Sequence, residues 1–128
     1  MTIDKTALRV LSRDRRDARG PRLGDAASGA LARHALDDVP IRHGVAISGF
    51  WPMASEMDPR PLMTALIARG HQLCLPVVEG RDAALIFRAW TPGDALVEAV
   101  FGTRVPAADQ ELITPAAVLV PLLAFDRA

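Results

Sequence analysis

Gly44–Phe50 reads GVAISGF, Asp58–Gly70 reads DPRPLMTALIARG, and Gln72–Val78 reads QLCLPVV. The first and third stretches are short apolar runs with β-branched residues, bounded by turn-forming residues, the pattern of strands buried on both faces. The middle stretch carries Leu62, Met63, Leu66 and Ile67 at helical spacing. Asp58 is placed to cap that helix, Pro59 suits its first turn, where a missing N–H is harmless, and Gly70 suits a left-handed C-cap. Strand, helix and strand over about thirty residues make a βαβ unit with parallel strands. The fold class expected from this unit is α/β.

Outward from this unit, Ala84–Trp90 reads as a strand in a hairpin with its predecessor across the turn Glu79–Asp82, and Ala117–Pro121 (AVLVP) as a last strand. Thr91–Pro115 carries Pro92, Gly93, Gly102, Pro106 and Pro115 and reads mostly as irregular connection. Before the unit, Ile3, Ala7, Leu8 and Leu11 predict a helix over residues 3–19, stopped by Gly20-Pro21, and a second helix follows from about Asp25 to Leu36. Open α/β sheets bind ligands outside the carboxyl ends of their parallel strands. That rule selects the segments leaving two of the strands, Trp51–Asp58 and Leu122–Ala128.

The 128 residues have the length of one ordinary domain, and half of them are apolar. Fifteen basic residues balance fifteen acidic ones, so overall charge points to neither nucleic acid nor membrane as a partner. The charge is unevenly placed. Residues 1–22 carry Lys5, Arg9, Arg13, Arg15, Arg16, Arg19 and Arg22 against Asp4, Asp14 and Asp17. Lys5, Arg9, Arg13 and Arg16 recur at intervals that align them along one face of the first helix. The lone cysteine, Cys74, rules out an intramolecular disulfide. The N-terminus has no apolar core of a secretory signal, and Ala116–Phe125 is too short to span a bilayer, so a cytoplasmic location is expected.

Five short blocks in order carry a family resemblance: SGFWPMASEMDPRPL (Ser48–Leu62), ARGH (Ala68–His71), LPVV (Leu75–Val78), FRAW (Phe87–Trp90) and VPLLAFD (Val120–Asp126), preceded by KTALR (Lys5–Arg9). The sequence resembles the bacterial 5-formyltetrahydrofolate cyclo-ligases, whose corresponding stretch reads YWP–x–x–SE–x–DP–x–PL and whose opening helix reads K–x–x–LR. The resemblance implies a three-layer α/β/α fold with a mostly parallel sheet, incomplete at its C-terminus. It also implies conversion of 5-formyltetrahydrofolate and ATP to 5,10-methenyltetrahydrofolate, ADP and phosphate with Mg²⁺. In that reaction the formyl oxygen attacks the γ-phosphate, N10 captures the activated carbon, and phosphate leaves.

Carried over residue by residue, the resemblance assigns Lys5, Thr6, Ala7, Leu8 and Arg9 to ATP, and Trp51 and Glu56 to the folate. No catalytic or metal-binding residue is assigned. A carboxylate suits the paired N–H donors of a pterin, and an indole suits its flat ring. Each assignment has a plainer counterpart: a solvated basic helix face, a core tryptophan, and a glutamate that caps a turn. The family's G–x–R–LG–x–G–x–G–YYD loop has no counterpart, since the chain ends after VPLLAFDRA and contains no tyrosine. Weak or absent catalysis and an uncovered sheet edge are therefore expected. The other functions open to the sequence are a non-catalytic folate-binding fragment and an interaction module built on the basic helix. His34, His43 and His71 sit at no metal-ligand spacing, and Ser48 and Ser55 lack the surroundings of a hydrolase nucleophile.

Overall fold

The computed structural model describes residues 4–124, without the side chains of residues 20–23. The expected role of Ile3 in the first helix and the end of the terminal segment, residues 125–128, lie outside the described residues. Helix α1 spans Lys5–Asp38, β1 Ile47–Ser48, α2 Arg60–Ala68, β2 Leu73–Val77, β3 Ile86–Ala89, β4 Leu96–Glu98, β5 Arg104–Pro106 and β6 Ala117–Val118.

The main sheet has the order β3-β2-β1-β6. Strand β1 is parallel to β2 and to β6, with Ile47 level with both Leu73 and Ala117. The hairpin partner β3 is antiparallel to β2. The expected βαβ unit and α/β class are present. Gly70 has φ of 93°. The bonds from Gly70 N–H to the Ile67 carbonyl and from His71 N–H to the Leu66 carbonyl close a Schellman turn. Asp58 caps as expected, accepting from the Arg60 N–H at 2.9 Å, although the helix begins one residue later than Pro59.

Register and side-chain alternation separate the two faces of the sheet. Ile47, Leu73, Leu75 and Trp90 join Leu62, Met63 and Leu66 of α2 in one buried cluster, with Leu31, Ala35 and Leu36 of α1 against it. Both helices therefore lie on this face. Ser48, Cys74 and Pro76 point to the other face, where β5 packs against β2 and buries Val105 and Pro106. Among the described residues this second layer is the β4–β5 hairpin, with no helix in it. No helix among the described residues is long and apolar enough to cross a membrane.

Two sequence expectations need correction. The break at Gly20-Pro21 does not occur, because α1 is one helix of 34 residues. Proline in a helix interior costs about 3 kcal/mol, but the packed residues Leu31–Leu36 anchor the C-terminal half, and an established helix gains a bond with each added residue. The connection Thr91–Pro115 is not mostly irregular. It contains the antiparallel pair β4–β5, and residues 111–113 bond to the free edge of β3. Its breakers punctuate these strands: Gly93 and Gly102 have φ of 99° and 71°, and Pro106 ends β5. Among the described residues β6 is the outer strand of the main sheet, and Val118, Val120 and Leu122 are exposed.

Cys74 is buried, as its place in a buried strand implies, and His71, expected at the surface or a helix end, is buried at the end of α2. His71 follows the α2 cap, and its Nδ1 bonds to the Val45 carbonyl at 2.8 Å. Cys74 is fully buried, and burial pushes its thiol from the ordinary value near 9 up to about 11, against a smaller opposing effect from a Ser48 hydrogen bond. The unfolded chain then ionises this thiol before the folded one does. Its contribution is intact below pH 9 and is lost as pH rises from 9 towards 11, at about 1.4 kcal/mol per pH unit. The chain has one lysine and no tyrosine, so little else titrates in that window. Urea unfolding at pH 8 to 10.5 should show this decline in the parent and a flatter profile in Cys74→Ala.

Candidate functional site

Chain leaving the carboxyl end of β1 enters the loop Trp51–Asp58, where the sheet rule places a ligand. Glu56 shapes this loop. Its N–H donates to the Met53 carbonyl at 3.0 Å, and its Oε1 accepts from the Met53 N–H at 2.7 Å. The turn so closed holds Ala54 at φ of 48°, in the left-handed region. One carboxylate oxygen of Glu56 thus caps the turn, and Oε2 is left for another donor. The plainer reading and the site reading each claim one oxygen.

Trp51 is half-buried and tightly surrounded. The Arg60 guanidinium lies 4.9 Å above its ring centre, and Trp90 meets it edge-on with centroids 5.9 Å apart. Arg60 is itself held by Asp58 through two side-chain bonds of 2.8 and 2.9 Å. Arg60 beside it holds the Asp58 carboxyl below the usual carboxylate range. This chain from cap residue to stacked arginine fixes the indole and occupies one of its faces. A ligand ring has only the remaining surface of Trp51 to pack on.

Trp51 and Glu56 line one cavity of ≈ 260 Å³ on the second face of the sheet, with Phe50, Pro76, Phe87 and Val118 among its walls. Among the described residues, Arg104 of β5 and Glu56 are its charged lining residues. Glu56 also borders a second cavity of ≈ 540 Å³ on the α1 side, lined by Arg16, Arg19, Ser28, Ser55 and Leu122 among others. The two segments chosen by the sheet rule therefore meet, since Leu122 and Glu56 share this second cavity.

Lys5, Thr6, Ala7, Leu8 and Arg9 form the exposed first turns of α1 and line neither cavity. Their relation to the loop follows from Arg16, whose Nε donates to Ser55 Oγ at 2.9 Å. That bond turns the basic stripe towards the loop. With a rise of about 1.5 Å per residue, Lys5 lies roughly 16 Å along the axis from Arg16. The structure thus joins Trp51 to Glu56 in one cavity and ties the basic helix to their loop through Arg16, while α1 itself lies on the opposite face of the sheet and Lys5 and Arg9 line neither cavity. The ion pairs among the described residues are His34–Asp38 and Arg60–Asp58, and neither touches the stripe.

Several site residues escaped sequence reasoning. Arg104 sits in the segment read as irregular, and no local pattern marked it. Arg60 was detectable in principle, two residues after a capping aspartate, but its stacking on Trp51 is tertiary. Ser55 drew attention only as a candidate nucleophile, whereas its hydroxyl bonds to α1.

The architecture is that of a mixed α/β protein with a mostly parallel main sheet. Among solved structures, the chain is similar to the NMR structure of 5,10-methenyltetrahydrofolate synthetase from Aquifex aeolicus. The TM-score is 0.76 at 21% sequence identity, over 95% of this chain and 62% of that one. At that identity the likeness shows a common fold, and this chain spans less than two thirds of that protein's length. No protein-family model and no curated protein matches the chain.

Proposed function

We propose that this chain binds 5-formyltetrahydrofolate, with the pterin in the cavity lined by Trp51 and Glu56. In this reading the chain carries the folate-facing wall of an ATP-dependent cyclo-ligase site that forms 5,10-methenyltetrahydrofolate, ADP and phosphate. One observation carries the proposal: Glu56, whose turn bond engages Oε1, lines a small cavity walled largely by aromatic and aliphatic side chains. A pterin is flat and presents N–H donors along one edge, so it matches both properties. The fold likeness to a methenyltetrahydrofolate synthetase supports the same substrate class.

ATP, when bound, supplies the phosphoryl group that turns the formyl oxygen into a leaving group. Lys5 and Arg9, on the exposed stripe with Arg13, would offset the phosphate charge, the main demand of phosphoryl transfer on a protein. Thr6, Ala7 and Leu8 belong to the same first turn, where Asp4 already accepts from the N–H groups of Thr6 and Leu8. No group of three or more His, Cys, Asp or Glu side chains among the described residues could hold a metal ion, and no step is assigned here to Mg²⁺.

Tryptophan fluorescence provides the test, because the chain has only Trp51 and Trp90, and they touch. Titration with 5-formyltetrahydrofolate should give a saturable quench. Lys5→Ala should weaken Mg-ATP binding on the order of tenfold, the loss of one charge-assisted bond, while sparing folate affinity. Failure to saturate at millimolar folate would reject the folate reading. Unchanged ATP affinity in Lys5→Ala would remove that residue from the nucleotide site.

A further inference from the structure

We infer that Ser55 is a positioning residue that locks the Glu56 loop to α1 and so sets the basic stripe and the Glu56 carboxylate in fixed relation. The folate consequence rests on the reading above; the lock itself stands on geometry alone. The Ser55 hydroxyl has one proton to give and lone pairs to receive, and both capacities are used. It accepts from Arg16 Nε at 2.9 Å and donates to Asp17 Oδ1. Both partners are ionic groups, so both bonds are of the stronger, charge-assisted kind.

The position of this lock gives it leverage. Ser55 lies between Ala54, in the left-handed region, and Glu56, whose carboxylate closes the turn. On the helix side, residues 4–19 are exposed except Ser12 and Arg16. Packing therefore does little to orient this half of α1. The two bonds to Ser55 are the side-chain hydrogen bonds between α1 and the loop among the described residues. Losing them frees the helix end and relaxes the loop that aims Glu56, although Ser55 itself need not touch the ligand.

The test uses the full chain with Ser55→Ala and Ser55→Thr, read by 5-formyltetrahydrofolate titration and by amide hydrogen exchange. Ser55→Ala should weaken folate binding by about tenfold and speed exchange over Arg13–Arg19, leaving β2 and α2 unaffected. Ser55→Thr, which keeps a hydroxyl, should restore both to near the parent. Combined with Glu56→Gln, Ser55→Ala should add little further loss, because it acts through Glu56. Losses that simply multiply, or unchanged exchange in Ser55→Ala, would overturn the inference. If the parent does not bind the folate, the functional reading falls, and exchange over Arg13–Arg19 still decides whether the lock exists.

Discussion

Glu56→Gln is expected to weaken 5-formyltetrahydrofolate binding by about ten- to a hundredfold while leaving the loop in place. Glutamine is chosen because its carbonyl oxygen can still accept the 2.7 Å bond from the Met53 N–H, so the turn and the Ala54 conformation persist. Its NH₂ group then stands where Oε2 was, and a donor faces the pterin's donors. Loss of a hydrogen bond to a charged group is worth about 1.5–3 kcal/mol, which is the range quoted. Glu56→Ala removes the internal bond as well and should also raise hydrogen exchange at Met53 and Ser55. Calorimetric titration of the two variants separates loop shape from ligand contact. Equal folate affinity in Glu56→Gln and the parent would take the carboxylate out of the site.

Gly49→Val should destabilise the fold by about 3 kcal/mol, towards the upper end of the range for overpacking, and lower the midpoint of thermal unfolding by roughly 10 °C. A Cβ at Gly49 would lie 2.5 and 2.6 Å from Met63 Cε and Sδ and 3.0 Å from its Cγ. Met63 is almost fully buried in the α2 face of the core, so its flexible end has little room to retreat. The backbone at Gly49 is held too, with its N–H on the Cys74 carbonyl at 3.0 Å. Strain introduced here reaches Phe50 and Trp51 directly. Met63→Ala removes the obstructing atoms, so the double variant should recover part of the loss and be clearly less destabilised than the two single changes combined. Urea and thermal unfolding of the four proteins measure this; strict additivity would show that the Met63 contact is not the cause.

Much of the fold was legible because its signals are local. The apolar runs at Gly44–Phe50 and Gln72–Val78, the stripe Leu62–Ile67, and the caps at Asp58 and Gly70 each depend on residues a few positions apart. Where the local signal and the outcome diverged, long-range packing or hydrogen bonding intervened. Gly20-Pro21 resembles a terminator, yet α1 runs through it, with its later turns held on the core by Leu31–Leu36. The breakers in Thr91–Pro115 looked like a loop because three-residue strands are too short to show alternation. The β4–β5 pair also packs against β2 through β5, a contact that no local pattern announces.

For the site, sequence pattern and family likeness together singled out Trp51 and Glu56, and the carboxyl-edge rule marked their loop. Neither revealed that Glu56 spends one oxygen on Met53, that Arg60 covers a face of Trp51, or that Ser55 ties the loop to a helix 38 and 39 positions earlier in the chain. Periodicity and capping report on neighbours along the chain, so by itself the sequence determined the α/β class and the βαβ unit. Cavity walls, stacked rings and the Arg16–Ser55–Asp17 tie unite residues distant in sequence, and only tertiary packing settles their distances. Which oxygen, ring face or hydroxyl remains available for chemistry is a property of that packing.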